Sequence, residues 1–238
     1  MAAKPSARHF AQDPTMTAPL KIGFLLYPNL TQLDLTGPAQ VFAHMSGSQR
    51  HFVWKTMEAV PSDSGISLLP TDTFESCPDL DLLCIPGGPG QNALMQDAAV
   101  LGWLSRQGAQ ASWITSVCSG SLLLGAAGLL KGYRAASHWN YRQYLPAFGA
   151  TIDEGRVVRD RNRITGGGIT AGIDFALEVV ATLRGQAEAE EIQLLLEYAP
   201  QPPFDCGRPE LAEPQLVERV RQRLATSVHS MQGHAAKE

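Results

Sequence analysis

The run Trp113–Val117 passes into Cys118-Ser119-Gly120-Ser121 with no intervening loop, and this joint constrains the fold more than any other feature of the chain. Trp-Ile-Thr-Ser-Val reads as a buried strand, and SGSLLLGAAGLL over 119–130 as a helix rich in small residues. A strand that turns directly into a helix belongs to an architecture in which helices cover a sheet. The same punctuation recurs. KIGFLLY over 21–27 stops at Pro28, and the apolar run 81–85 stops at Pro86-Gly87-Gly88-Pro89-Gly90. Continuous short apolar runs of this kind are typical of parallel strands buried on both faces. Helical segments over 98–109, 171–183 and 187–198 alternate with them. The expectation is an α/β fold with a mostly parallel sheet.

Finer features follow from local chemistry. Asn29–Pro38 reads as a loop, with Thr36 capping a helix that begins near Pro38, since proline suits a first helical turn. Residues 51–59 have strand character, 135–137 form a short strand, and 138–148 a helix. Residues 157–160 and 163–165 pair as a hairpin around Arg161-Asn162. The proline-rich stretch 200–214 is a loop or arm, and 214–228 a last polar helix. Three parts are expected: a disordered extension over 1–19, an α/β domain over 20–203, and an arm with its helix over 204–238.

Charge and composition exclude several classes. The chain has 238 residues, a formal net charge of -4 and no basic block, which argues against nucleic-acid binding through a phosphate-facing surface. No run approaches the roughly 20 apolar residues needed to span a bilayer. The polar N-terminus lacks the compact apolar stretch of a signal peptide. The four cysteines, Cys77, Cys84, Cys118 and Cys206, form no CxxC pair and have no zinc-ligand spacing with histidine. Reduced thiols in a cytoplasmic compartment are expected.

Four motifs and one histidine are candidates to bear chemistry. Cys118, at the strand-to-helix joint, is forced into a tight turn and faces the amides of the following helix, an arrangement that favours a thiolate nucleophile. A buried structural cysteine is the competing reading. Asp34, between Leu33 and Leu35, lies beyond the first strand. Loops after parallel strands share one rim, so Asp34 and Cys118 can converge, with Asp34 as proton carrier or as helix cap. Gly87 and Gly88 let backbone N–H groups face a substrate, as in an oxyanion hole, or simply make a tight turn. Gly166-Gly167-Gly168 leads into a helix and either cradles an anion or packs closely. His138 is both a candidate base for Cys118 and a candidate structural histidine.

The segments YPNLTQLDLTGPAQVF, LLCIPGGPG, TSVCSGSLLLGAAGLL, ASHW at 136–139 and RITGGGITAGIDFALEVV resemble, in this order, those of the DJ-1/PfpI superfamily. Within it, and with QLLLEYAPQPPF, they look most like the isonitrile hydratase family; the likeness covers roughly 21–203. The resemblance implies a flavodoxin-like three-layer sandwich, a homodimer, and neither cofactor nor metal. It implies Cys118 as nucleophile and Asp34 as its acidic partner. Ser119 and the backbone near Gly87, Gly88 and Gly120 would orient an isocyanide on its way to an N-substituted formamide. Superfamily proteases place a histidine directly after the cysteine, where this chain has Ser119. The hydratases usually carry threonine there; serine keeps the hydroxyl and loses the methyl. A similar domain serves as a sensor in AraC-type transcription regulators, and glyoxalase- or deglycase-like members use the same thiol. Cys118 and the lack of a DNA-binding module favour the hydratase reading.

Overall fold

The computed structural model describes residues 18–235, with side chains to residue 225; of the extension expected over 1–19, all but the last two residues lie outside the described residues. Seven strands form the central sheet: β1 (Leu20–Leu25), β2 (Ser48–Trp54), β3 (Asp72–Thr73), β4 (Leu82–Ile85), β5 (Trp113–Val117), β6 (Val157–Asp160) and β7 (Arg163–Gly166). Their order across the sheet is β6-β7-β5-β4-β1-β2-β3. Every neighbouring pair is parallel except the β6–β7 hairpin. β4, wholly buried, pairs with β1 on one side and β5 on the other, which is why its sequence is a continuous apolar run.

The helices are α1 (Gln32–Ala43), α2 (Gln91–Leu94), α3 (Ala98–Gln110), α4 (Gly120–Ala126), α5 (Ala171–Arg184), α6 (Gln186–Leu195) and α7 (Pro214–Ala235). α1, α5 and α6 pack in series, while α3 and α2 contact α4. The sheet is thus flanked by helices in the flavodoxin-like manner.

α1 begins six residues before the proline expected to start it, and Pro38 sits inside the helix. Its ring packs against α5: a Cβ at Gly172 would lie 3.2 Å from the Pro38 Cδ. Burial of Asp34 and Leu35 and this helix contact outweigh the preference of proline for a first turn. Thr31 occupies the N-cap, and its hydroxyl donates to Asp63 at 2.6 Å. The segment expected as a helix over 138–148 is a 3-10 helix confined to Arg142–Phe148 and containing Pro146. Proline has no N–H to donate to a carbonyl four residues back, so Pro146 disfavours a regular α-helix here, without the packing that carries α1 through Pro38. α4 is shorter than its apolar run, and the chain leaves it through Gly128 at φ +77°.

Candidate active site

Cys118 stands at the C-terminal edge of β5 with φ +58°, in the left-handed region that residues other than glycine seldom adopt. Such a backbone costs on the order of 1–3 kcal/mol and persists where its surroundings hold it. Here both of its polar groups are held. The Cys118 N–H donates to the carbonyls of Gly166 at 3.1 Å and Gly167 at 2.9 Å. Its carbonyl accepts from the hydroxyls of Ser137 at 3.1 Å and Ser121 at 3.3 Å. The side chain is 5% exposed.

Asp34 lies in the first turn of α1 and is fully buried. Its Oδ2 accepts from the Gly87 N–H at 3.1 Å, and Oδ1 has no hydrogen-bond partner. Burial raises the carboxyl to about 8; the Cys118 side chain and the Gly87 N–H act downwards, and the negative charge of Asp63 upwards. The thiol is also raised well above its ordinary value, first by burial and then by the charge of Asp34, against the Ser119 N–H and hydroxyl. Each side chain shifts the other's titration, so the two act as a coupled pair. The helix amides do not make Cys118 a resting thiolate, as its place in the sequence suggests: α4 has seven residues, and desolvation outweighs its N-terminus. Burial pushes both members of the pair towards their neutral forms.

Ser119 is 2% exposed, and its Oγ accepts the Gly88 N–H at 3.2 Å. The amides of Gly87 and Gly88 therefore hold the acid and the hydroxyl. What they need is the absence of a side chain. A Cβ at Gly87 would lie 2.6 Å from both Ser119 N and Oγ and 2.9 Å from Cys118 Cβ. Gly88, at φ +138°, would strike the Thr31 nitrogen at 2.4 Å. Gly120 packs so closely on β4 that a Cβ would meet the Ile85 carbonyl oxygen at 2.1 Å.

The glycine-rich loop is a clamp on the elbow. Its carbonyls bind Cys118, and the Gly167 N–H donates to the Arg156 carbonyl rather than to a bound anion. His138 stands apart: burial alone lowers it to about 4, its Nδ1 accepts from Asn140 N at 3.3 Å, and its ring fills the space beside Gly168. Among the described residues no group of three or more His, Cys, Asp or Glu is placed to hold a metal.

Sequence reasoning missed two supports. Ser137, inside the ASHW segment, has no catalytic pattern of its own, and only the fold brings it to the Cys118 carbonyl. Tyr27, at the end of the first apolar run, reads as core. It is fully buried, and its hydroxyl donates to Pro86 O at 3.0 Å, anchoring the loop that carries Gly87.

A cysteine on a left-handed elbow between a parallel strand and a helix, paired with a buried carboxyl from the neighbouring rim, defines a thiol-bearing protein of the doubly wound class. The chain belongs to the DJ-1/PfpI family, whose model matches residues 20–182. It is 54% identical over 209 residues to an isonitrile hydratase of Pseudomonas putida, covering 88% of this chain and 92% of that one. A ThiJ/PfpI family protein from Pseudomonas syringae has a crystal structure similar to this fold, with a TM-score of 0.86, 46% identity and 93% of each chain covered. The HTH-type transcriptional regulator GbdR of Pseudomonas aeruginosa is 29% identical over 76% of this chain, which spans 51% of that protein.

Proposed function

We propose that this protein is an isonitrile hydratase, adding water to an isocyanide, R–N≡C, to give an N-substituted formamide. The observation that carries the reading is its likeness, over nearly the full length of both chains, to the Pseudomonas putida isonitrile hydratase. The Asp34–Cys118 pair suits the reaction. The terminal carbon of an isocyanide accepts a proton before or as a nucleophile adds. Asp34, protonated up to about pH 8, gives its proton to that carbon while the Cys118 sulfur adds to it, and the thiol proton passes to Asp34. The product is a thioimidate, R–N=CH–S–Cys118. Asp34 then helps water add to the same carbon. The C–S bond breaks, the sulfur regains its proton, and R–NH–CHO leaves. A neutral pair acting on a neutral substrate creates no net charge in a buried site, which fits burial as the largest cause of both raised titrations.

Ser119 and its N–H, directed at the sulfur, steady the thiolate as it departs from carbon. In this reading Gly87, Gly88 and Gly120 are walls of the substrate space, and neither a metal nor a cofactor takes part. We take 20–203 as the catalytic unit, 204–238 as an arm and 1–19 as an extension. The four free cysteines fit a reducing, cytoplasmic setting. Among the described residues no helix is long and apolar enough to cross a membrane.

The unit is read as a homodimer because Leu194 at 82%, Leu195, Phe204 and Leu211 stand exposed along α6 and the arm. Sedimentation velocity checks this; a strict monomer at micromolar concentration overturns it. The activity is tested by incubating the protein with cyclohexyl isocyanide and following cyclohexylformamide by mass spectrometry. Formamide from the wild type and none from Cys118→Ala is expected. No formamide from the wild type would favour the sensor role of the regulator domains.

A further inference from the structure

Tyr27 and Asp34 are joined through a single peptide unit. The Tyr27 hydroxyl donates to the Pro86 carbonyl at 3.0 Å, and the N–H of the same Pro86–Gly87 amide donates to Asp34 Oδ2 at 3.1 Å. A carbonyl oxygen cannot donate, so the phenol keeps its proton. Burial first, then the negative charges of Asp34, Cys118 and Asp63, hold it in that form. The rest of the loop is tied down around this amide. The Gly87 carbonyl accepts from the Thr31 N–H at 3.0 Å, the Gly88 N–H donates to Ser119 Oγ at 3.2 Å, and the Gly90 N–H donates to the Asn29 carbonyl at 3.2 Å. Glycine at 90 lets the loop close on the tyrosine: a Cβ there would strike the Pro28 carbonyl and lie 3.2 Å from Tyr27 Cδ2. The fully buried ring is thus walled by the loop that its hydroxyl anchors.

We infer that Tyr27 is a positioning residue for the hydration: its hydroxyl orients and polarises the Pro86–Gly87 amide, and that amide sets the carboxyl of Asp34. The inference rests on the hydratase reading above. Hydrogen bonds in a chain polarise one another, by roughly 10–30% per bond. Electron density drawn towards the Pro86 oxygen makes the Gly87 N–H a stronger donor. A stronger donor favours the carboxylate of Asp34 over the acid and so works against burial. Asp34 then holds its proton at rest yet releases it more readily to the isocyanide carbon. Without the hydroxyl, the Pro86 carbonyl loses its partner, the amide loses its outer anchor, and Asp34 becomes a weaker acid. Besides Tyr27, the titratable groups that bear on Asp34 are Cys118 at the elbow and Asp63, which accepts from Thr31 at the head of α1.

Tyr27→Phe removes the hydroxyl and keeps the ring. With cyclohexyl isocyanide, kcat should fall about tenfold with KM little changed. The alkaline limb of kcat, near pH 8 in the wild type, should move up by about half a pH unit. A purely structural tyrosine would lower the melting temperature and kcat but leave the limb in place, and that result overturns the inference. 3-Fluorotyrosine at position 27, a stronger donor of similar size, should move the limb to lower pH; an upward shift there overturns the polarisation. In the Asp34→Asn background Tyr27→Phe should cost no further turnover, and an undiminished loss overturns action through Asp34. Infrared titration of the Asp34 carboxyl in Cys118→Ala, assigned by its disappearance when Asp34→Asn is added, reads the same upward shift without substrate. If the wild type makes no formamide and Tyr27→Phe still raises that titration, the hydratase reading fails and the link from Tyr27 to Asp34 stands. A carboxyl titration indifferent to Tyr27→Phe overturns the link.

Discussion

The hydroxyl of Ser137 donates to the carbonyl of Cys118 at 3.1 Å, and so fixes one side of a backbone whose N–H is fixed on the other by the carbonyls of Gly166 and Gly167. The position of Cys118 is set by three separate segments rather than by the turn that contains it.

Ser137→Ala should therefore act through Cys118. Ser121 remains as a second donor at 3.3 Å, so the loss of stability should be modest, about 1 kcal/mol. Turnover should fall more than stability, with kcat reduced and KM little changed, because displacements of a reacting group by fractions of an ångström are felt in the chemical step. Ser137→Thr, which restores the hydroxyl, should recover most of kcat. Steady-state kinetics with cyclohexyl isocyanide checks both; equal loss in the two variants would remove the hydrogen bond from the account.

Replacing Asp34 separates proton transfer from architecture. Asp34→Asn keeps an oxygen for the Gly87 N–H, so the fold should survive, while turnover should fall by about 10²-fold or more. Wild-type kcat should also decline as pH rises through about 8, where the carboxyl loses the proton it delivers.

Stability should carry the same signature, with a compensation that makes it specific. Asp34 is raised from its ordinary range to about 8 by burial, so its contribution is full in acid and lost as pH rises through 8. His138 is lowered to about 4 by burial, so its contribution is full above its ordinary value of 6.5 and lost as pH falls towards 4. Between roughly 4.5 and 6.5 the two slopes oppose each other. From about 6.5 to 8 Asp34 acts without that opposition, and stability should fall by up to about 1.4 kcal/mol per pH unit. Asp34→Asn should instead gain stability up to 6.5 and then level off. Urea titrations at a series of pH values read this; a wild-type curve that stays flat from 6.5 to 8 would contradict a buried neutral Asp34.

Thiol labelling should follow exposure rather than catalytic role. Cys206 is exposed, Cys118 is 5% exposed with its thiol held protonated, and Cys84 is fully buried. Substoichiometric iodoacetamide at neutral pH should mark Cys206 before Cys118, by peptide mapping, although Cys118→Ala should be the variant that abolishes turnover. Preferential labelling of Cys118 would mean that the resting elbow holds a thiolate.

Gly87→Ala places a methyl 2.6 Å from the Ser119 amide and hydroxyl, and neither is a flexible side-chain end that swings aside. The loop must shift and take the Asp34 hydrogen bond with it. Turnover should drop by about 10²-fold or more while the protein remains folded, since the strain is local to the site. Circular dichroism and kinetics together decide it.

The sequence alone determined the class of fold and the location of the thiol. Apolar runs that end in glycine and proline specify parallel strands, because a strand buried on both faces has no polar positions to alternate; Trp113–Val117 and the β6–β7 hairpin stand where local pattern puts them. Cys118 was legible for the same reason, as the residue where a strand ends and a helix begins without a loop. Asp34 was legible as a charge among leucines on the same rim. The tertiary structure decided what local pattern cannot contain. It set the start of α1 against the preference of Pro38, through packing on Gly172 and burial of Asp34. It turned the Gly87 and Gly88 amides onto Asp34 and Ser119, and it brought Ser137 from nineteen residues away to the Cys118 carbonyl. Above all it decided how strongly the site is desolvated. The amides of a helix N-terminus can be inferred from sequence, but the desolvation that opposes them depends on how many other segments close over the thiol, and here that burial prevails.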